Sequence, residues 1–96
     1  MKVEISLQVA DFIRHQPPEP RRMLRRALRD LAQEKGDIKA LEGPLAEYCR
    51  LRVGGYRVVF AYAKRASIQC LFAERRSIVY EVFAEALRAH LAPGDE

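Results

Sequence analysis

The pair Gly54-Gly55 constrains this 96-residue chain more than any other feature. It separates Tyr48–Val53 from Tyr56–Tyr62, two runs whose side chains alternate in polarity. A two-residue glycine loop between such runs makes an antiparallel hairpin and sets its register. Val53 then faces Tyr56, Arg52 faces Arg57, and Arg50 faces Val59. Period-two alternation sorts the side chains onto two faces. Cys49, Leu51, Val53, Tyr56, Val58, Phe60 and Tyr62 form the face that must meet the helices. Tyr48, Arg50, Arg52, Arg57, Val59 and Ala61 form the other, expected to lie away from them.

Like charges directly opposed across strands cost about 0.2–1 kcal/mol. Arg52 opposes Arg57 with Arg50 diagonally near, and no acid lies within the hairpin. Two arrangements relieve the repulsion. An anion visits the face, or an acid arrives from elsewhere, with Glu74 and Glu47 the nearest in sequence. The clustering favours an anionic ligand, and polyanionic RNA is the natural one.

The rest of the chain supplies the scaffold. Val3, Ile5 and Leu7 alternate with Lys2, Glu4 and Ser6, which predicts a half-buried strand. Ser6 is placed to cap a short helix over 8–15, with Val9, Phe12 and Ile13 inward. Pro17 and Pro18 end it, and Pro20 can open the next. Arg21–Lys35 is the clearest helix. Its apolar stripe is Met23, Leu24, Ala27, Leu28, Leu31 and Ala32. Arg21, Arg22, Arg25, Arg26 and Arg29 cover the remainder, either as a solvated face or as contacts to RNA phosphates. Gly36 is a natural stop. Asp37–Glu47 reads as a connecting loop with a Gly43-Pro44 turn. A looser turn over Ala63–Ser67 leads to a doubly covered strand, Ile68–Ala73. Ser77 starts a final amphipathic helix, and residues 93–96 form a frayed tail. The expectation is a single α+β domain over residues 1–92 in the order β-α-α-β-β-β-α. In it, an N-terminal strand and a helical hairpin pack on a mostly antiparallel four-stranded sheet.

Composition adds exclusions. Seventeen Lys and Arg against thirteen Asp and Glu leave a net charge of +4, so clustering carries more weight than total charge. Cys49 and Cys70 lie in apolar strand patterns, which suits core thiols of a reducing compartment rather than a zinc site. No acid cluster offers a magnesium site, and no cofactor or metal is expected. His15 and His90 read as surface or packing residues. No apolar run reaches membrane-spanning length and the N-terminus lacks a signal-peptide core, so a cytoplasmic protein with no membrane partner is expected.

The segment L-E-G-P-L-x-x-Y-x-R-L-R-V-G-G-Y-R-V-V-F, followed by a strand and R-x-x-V-Y, resembles the RelE/ParE superfamily of toxins across Leu41–Tyr80. The resemblance implies the toxin of a type II toxin–antitoxin pair, with a cognate antitoxin as partner in a hetero-oligomer. RelE-like members cut mRNA on the ribosome; ParE-like members inhibit DNA gyrase and are not nucleases. A non-catalytic RNA- or ribosome-binding module remains a third reading of the arginine face. Under the RelE-like reading, Arg57 is the main transition-state arginine. Arg50 and Arg76 assist it, and Tyr80 is the base that takes the 2′-hydroxyl proton. Arg52, Arg75, Tyr48 and Lys64 would hold RNA, and Glu74 is an alternative base. Two positions depart from a subset of members: Tyr48 replaces a lysine, and Glu74 replaces an arginine that Arg75 or Arg76 would stand in for.

Overall fold

The computed structural model describes residues 1–75 and the helix 79–91, with positions 79 and 89–91 described as backbone only. In chain order these residues form β1 (Lys2–Ile5), α1 (Leu7–Arg14), α2 (Pro18–Leu31), β2 (Asp37–Ala40), a 3₁₀ turn (Gly43–Leu45), β3 (Cys49–Val53), β4 (Tyr56–Ala63), β5 (Ser67–Arg75) and α3 (Val79–Leu91). The strands make one sheet in the order β1-β5-β4-β3-β2. Only β1–β5 is a parallel pair. The α+β class is as expected, but the sheet has five strands where four were expected. Asp37–Ala40, read as loop, pairs antiparallel with β3 along its length. Ser77 and residues 93–96, expected to start the last helix and to form a tail, lie outside the described residues.

The β3–β4 register is the one that a two-residue loop dictates: Val53 opposite Tyr56, Arg52 opposite Arg57, Arg50 opposite Val59. Gly54 holds φ +58, a conformation that glycine takes without steric cost. Between β4 and β5 the register shifts at Val59/Phe60. Phe60 pairs with Cys70 and Val59 with Phe72, so Leu71 is an extra residue on β5. Such a bulge reverses the facing of everything beyond it. It puts Glu74 opposite Arg57 and Arg75 opposite Tyr56, the reverse of what unbroken alternation would give.

Two local devices hold the N-terminal half against β5. Ser6 Oγ accepts from Val9 N at 3.2 Å, capping α1, and donates to the Leu71 carbonyl at 2.9 Å. The Gln8 amide donates to the Ala73 carbonyl and accepts from the Ala73 amide, both at 2.8 Å. A glutamine side chain thus continues the β5 ladder where β1 has ended. Helix α2 opens at Pro18 behind an extended Pro17 rather than at Pro20, and closes at Leu31, short of Lys35. Gly36 has φ +133, and a Cβ there would sit 2.8 Å from Leu51 Cδ1, so any side chain in the turn into β2 is strained and glycine fits it best.

The main core lies between the sheet and α1/α2. Val9, Ile13, Leu24 and Leu31 meet Leu51, Val53, Val58, Phe60, Ile68, Cys70 and Ala73. Burial pushes the Cys70 thiol up to about 12, as befits a packing residue. Met23, expected in the α2 stripe, is 41% exposed. A second cluster occupies the opposite face. Val59 and Phe83 are buried there, with Leu41, Leu45, Tyr48, Leu71, Phe72, Tyr80 and Leu87 packed around them. The arginine face is therefore not free of helices: α3 covers its Val59 end.

Candidate nucleic-acid interface

One row of side chains crosses four strands. Asp37 on β2 opposes Arg52 on β3, Arg52 opposes Arg57 on β4, and Arg57 opposes Glu74 on β5. Opposed residues share a face, so the row reads acid, arginine, arginine, acid. In the parallel row Lys39, Arg50, Val59 and Phe72 stand in line. Lys39 is exposed and adds a cation to this face.

While Glu74 stands opposite Arg57, the acid that engages Arg50 and Arg52 is Asp37. Its Oδ1 takes Arg50 Nη1 at 3.1 Å and its Oδ2 takes Arg52 Nε at 3.0 Å. Arg50 Nη1 also donates to the Asp37 carbonyl at 2.9 Å. The Arg50 side chain is only 15% exposed, whereas that of Arg52 is 55% exposed. Arg57 Nη1 donates to the Gly54 and Tyr56 carbonyls at 3.0 and 2.9 Å, which holds the guanidinium at the hairpin end.

The hydrogen bond from Arg50, with the charges of Arg50, Arg52 and Arg57 behind it, holds the Asp37 carboxyl below its ordinary 3.8. A carboxyl whose pKa is lower in the folded than in the unfolded chain stabilises the fold above its ordinary pKa. That contribution is lost as pH falls through the folded value. In urea unfolding, the stability gap between wild type and Asp37→Asn should be level above about pH 5 and shrink below about pH 4. A gap that widens on acidification would contradict this.

The Val59 end of the face is an aromatic wall. Tyr48 meets Phe83 edge-on at 5.0 Å, and Phe72 lies 6.0 Å from the same ring. Desolvation, then the Glu47 charge, raises the Tyr48 phenol. Tyr48 lies on the arginine face as expected, but as part of this packing. Tyr80, in the first turn of α3, is half-buried in the same cluster. Val59 is the cross-strand partner of Arg50 and two residues from Arg57, so the cluster that holds the phenol adjoins the arginine positions on the same sheet face.

Of the other expected site residues, Glu74 shares the row and Arg75 and Lys64 do not. Arg75 is on the α1/α2 face, its guanidinium 5.8 Å above the Tyr56 ring. The bulge at Leu71 puts it there, which removes it from the arginine row. Lys64 occupies the β4–β5 turn, roughly 23 Å along β4 from Arg57 at ~3.3 Å per residue. Glu74 is in the row, and its Oε1 accepts from the Arg75 amide at 3.1 Å. Arg76 lies outside the described residues. Arg22, Arg25, Arg26 and Arg29 are exposed on α2, beyond the opposite side of the sheet, and make no ion pair among the described residues. Asp37 and Lys39 join this face only because Asp37–Ala40, expected as loop, is a strand. Among the described residues no group of three or more His, Cys, Asp or Glu is placed to hold a metal, and no helix is long and apolar enough to cross a membrane.

No family model matches the sequence, and no curated protein does. Solved structures do. The chain superposes on the RelBE2 toxin–antitoxin complex of Mycobacterium tuberculosis with a TM-score of 0.70 at 20% identity, covering 78% of this chain and 96% of that one. For the YoeB/ParE toxin of Agrobacterium tumefaciens the values are 0.65, 15%, 79% and 99%. For the RelB–RelE antitoxin–toxin complex of Methanococcus jannaschii they are 0.64, 21%, 83% and 98%. The chain has the fold of the RelE/YoeB/ParE toxins, and several of these neighbours were solved with their antitoxins.

Proposed function

We propose that this protein is a RelE/ParE superfamily toxin of a type II toxin–antitoxin pair that cleaves mRNA on the ribosome without metal. The observation that carries the reading is the convergence of Arg50, Arg52, Arg57 and Lys39 on one sheet face, bordered by the cluster that holds Tyr80. The substrate ribose 2′-hydroxyl attacks its own phosphodiester. The new 2′-O–P bond forms as the bond to the 5′-oxygen breaks. Tyr80, acting as its phenolate, accepts the 2′ proton and later gives it to the hydroxide left when water protonates the departing oxygen. Arg57, with Arg50 and Arg52, stabilises the dianionic phosphorane. Water returns a proton to the departing oxygen, with Arg76 holding the phosphate, since arginine keeps its own proton. The ribosome supplies much of the positioning. The protein acts in the cytoplasm, and a cognate acidic antitoxin neutralises it in a hetero-oligomer.

A second reading, inhibition of DNA gyrase without nuclease activity, draws on one observation. Asp37 already engages Arg50 and Arg52, which reduces the charge available to a phosphorane. Induced expression separates the two. Rapid translation arrest with cut mRNA is expected. An SOS response with intact mRNA and continuing translation would establish the gyrase reading instead, and arrest with intact mRNA would establish non-catalytic binding.

A further inference from the structure

The Asp37 carboxylate meets one arginine at each of its oxygens. Two N–H donors, each on its own oxygen of one anion, is also how arginines take a phosphodiester. We infer that Asp37 occupies an RNA phosphate seat built by Arg50 and Arg52, so that RNA binds by exchanging a phosphate for this carboxylate. The inference rests on the RNA reading above and adds an internal competitor to it.

Three features make the exchange feasible. The Asp37 side chain is 48% exposed and can rotate into solvent. Arg50 keeps a second bond, to the Asp37 carbonyl, so it stays aimed when the carboxylate leaves. The strand itself keeps its main-chain pairing of Asp37–Ala40 with Cys49–Arg52 when the carboxylate turns away. The seat would also meet an approaching strand through Lys39, which faces the same way beside Arg50. The carboxylate then lowers affinity for RNA in general. It leaves the face selective for a strand held in place by additional contacts, such as those of a ribosome.

Fluorescence anisotropy with a short, labelled, unstructured RNA carrying 2′-O-methyl riboses measures binding without cleavage. Asp37→Asn should bind about tenfold more tightly than wild type at low salt, the equivalent of one charge-assisted hydrogen bond gained. Its salt slope should steepen by about one. Asp37→Glu should stay near wild type because it keeps the competitor. Asp11→Asn makes the same charge change on α1, beyond the sheet, where screening over ~10 Å should leave affinity nearly unchanged. Circular dichroism and thermal melting establish that each variant is folded, and Asp37→Ser replaces Asp37→Asn if the amide disturbs β2. Equal or weaker binding by the folded neutral variant overturns the inference, as does an equal gain in Asp11→Asn. Wild type that cuts mRNA with no gain in Asp37→Asn sinks the seat alone. A gain in Asp37→Asn without cleavage by wild type sinks the nuclease reading alone.

Discussion

Replacing Tyr80 with phenylalanine is expected to slow cleavage of ribosome-bound mRNA by about 10²–10⁴, the usual cost of losing a general base. The substitution removes one hydroxyl and keeps the ring. Tyr80 is half-buried against the cluster centred on Val59 and Phe83, so the ring's packing should persist and the melting temperature should hardly move. That separation makes the experiment informative. The competing base is Glu74, which stands opposite Arg57 on the same face. Single-turnover cleavage by Tyr80→Phe and Glu74→Gln decides between them. Undiminished cleavage in the first with loss in the second would transfer the role to the carboxylate.

Phe60→Ala is expected to destabilise the fold by about 3–5 kcal/mol, read as a lower urea midpoint with little change in slope. Phe60 is fully buried at the centre of the main core. It sits on the middle strand, between Cys49 on β3 and Cys70 on β5. It also lies at the register shift that turns Glu74 toward Arg57. A domain of this size has roughly 5–15 kcal/mol in total, so the variant should be marginal at 37 °C. A loss below about 1 kcal/mol would show that the neighbouring side chains collapse into the space, contrary to the packing described.

The hairpin was legible because its cause is local. Two glycines and two alternating runs dictate a register, and Arg52 opposite Arg57 follows. The first helix was legible for the same reason: Ser6, placed as a cap, does cap it. What escaped is determined by distant partners. Asp37–Ala40 does alternate, Ile38 and Ala40 with Asp37 and Lys39. The run is only four residues with one sizeable apolar side chain and leads into the Gly43-Pro44 turn, so it reads as loop. The segment is a strand because β3 offers an edge. With β2 unseen, Asp37 is not recognisable as the acid that pairs Arg50 and Arg52, although Glu74, one of the two nearest acids in sequence, does stand opposite Arg57. The bulge at Leu71 likewise leaves no mark in a run that is apolar on both faces, yet it decides that Glu74, and not Arg75, shares the face of Arg57. The cover that α3 lays over Val59 was hidden by the same ambiguity: Val59 among arginines reads as a lone apolar residue until Phe83 arrives above it.

The most direct test of the central claim is in vitro translation of a defined mRNA with the purified protein added, wild type beside Arg57→Ala, and the RNA ends mapped. Wild type should stop translation and leave new ends at ribosome-occupied codons, while Arg57→Ala, folded to the same melting temperature, should leave the mRNA whole. Translation that stops with no new RNA ends, or cleavage that persists undiminished in Arg57→Ala, would contradict the account.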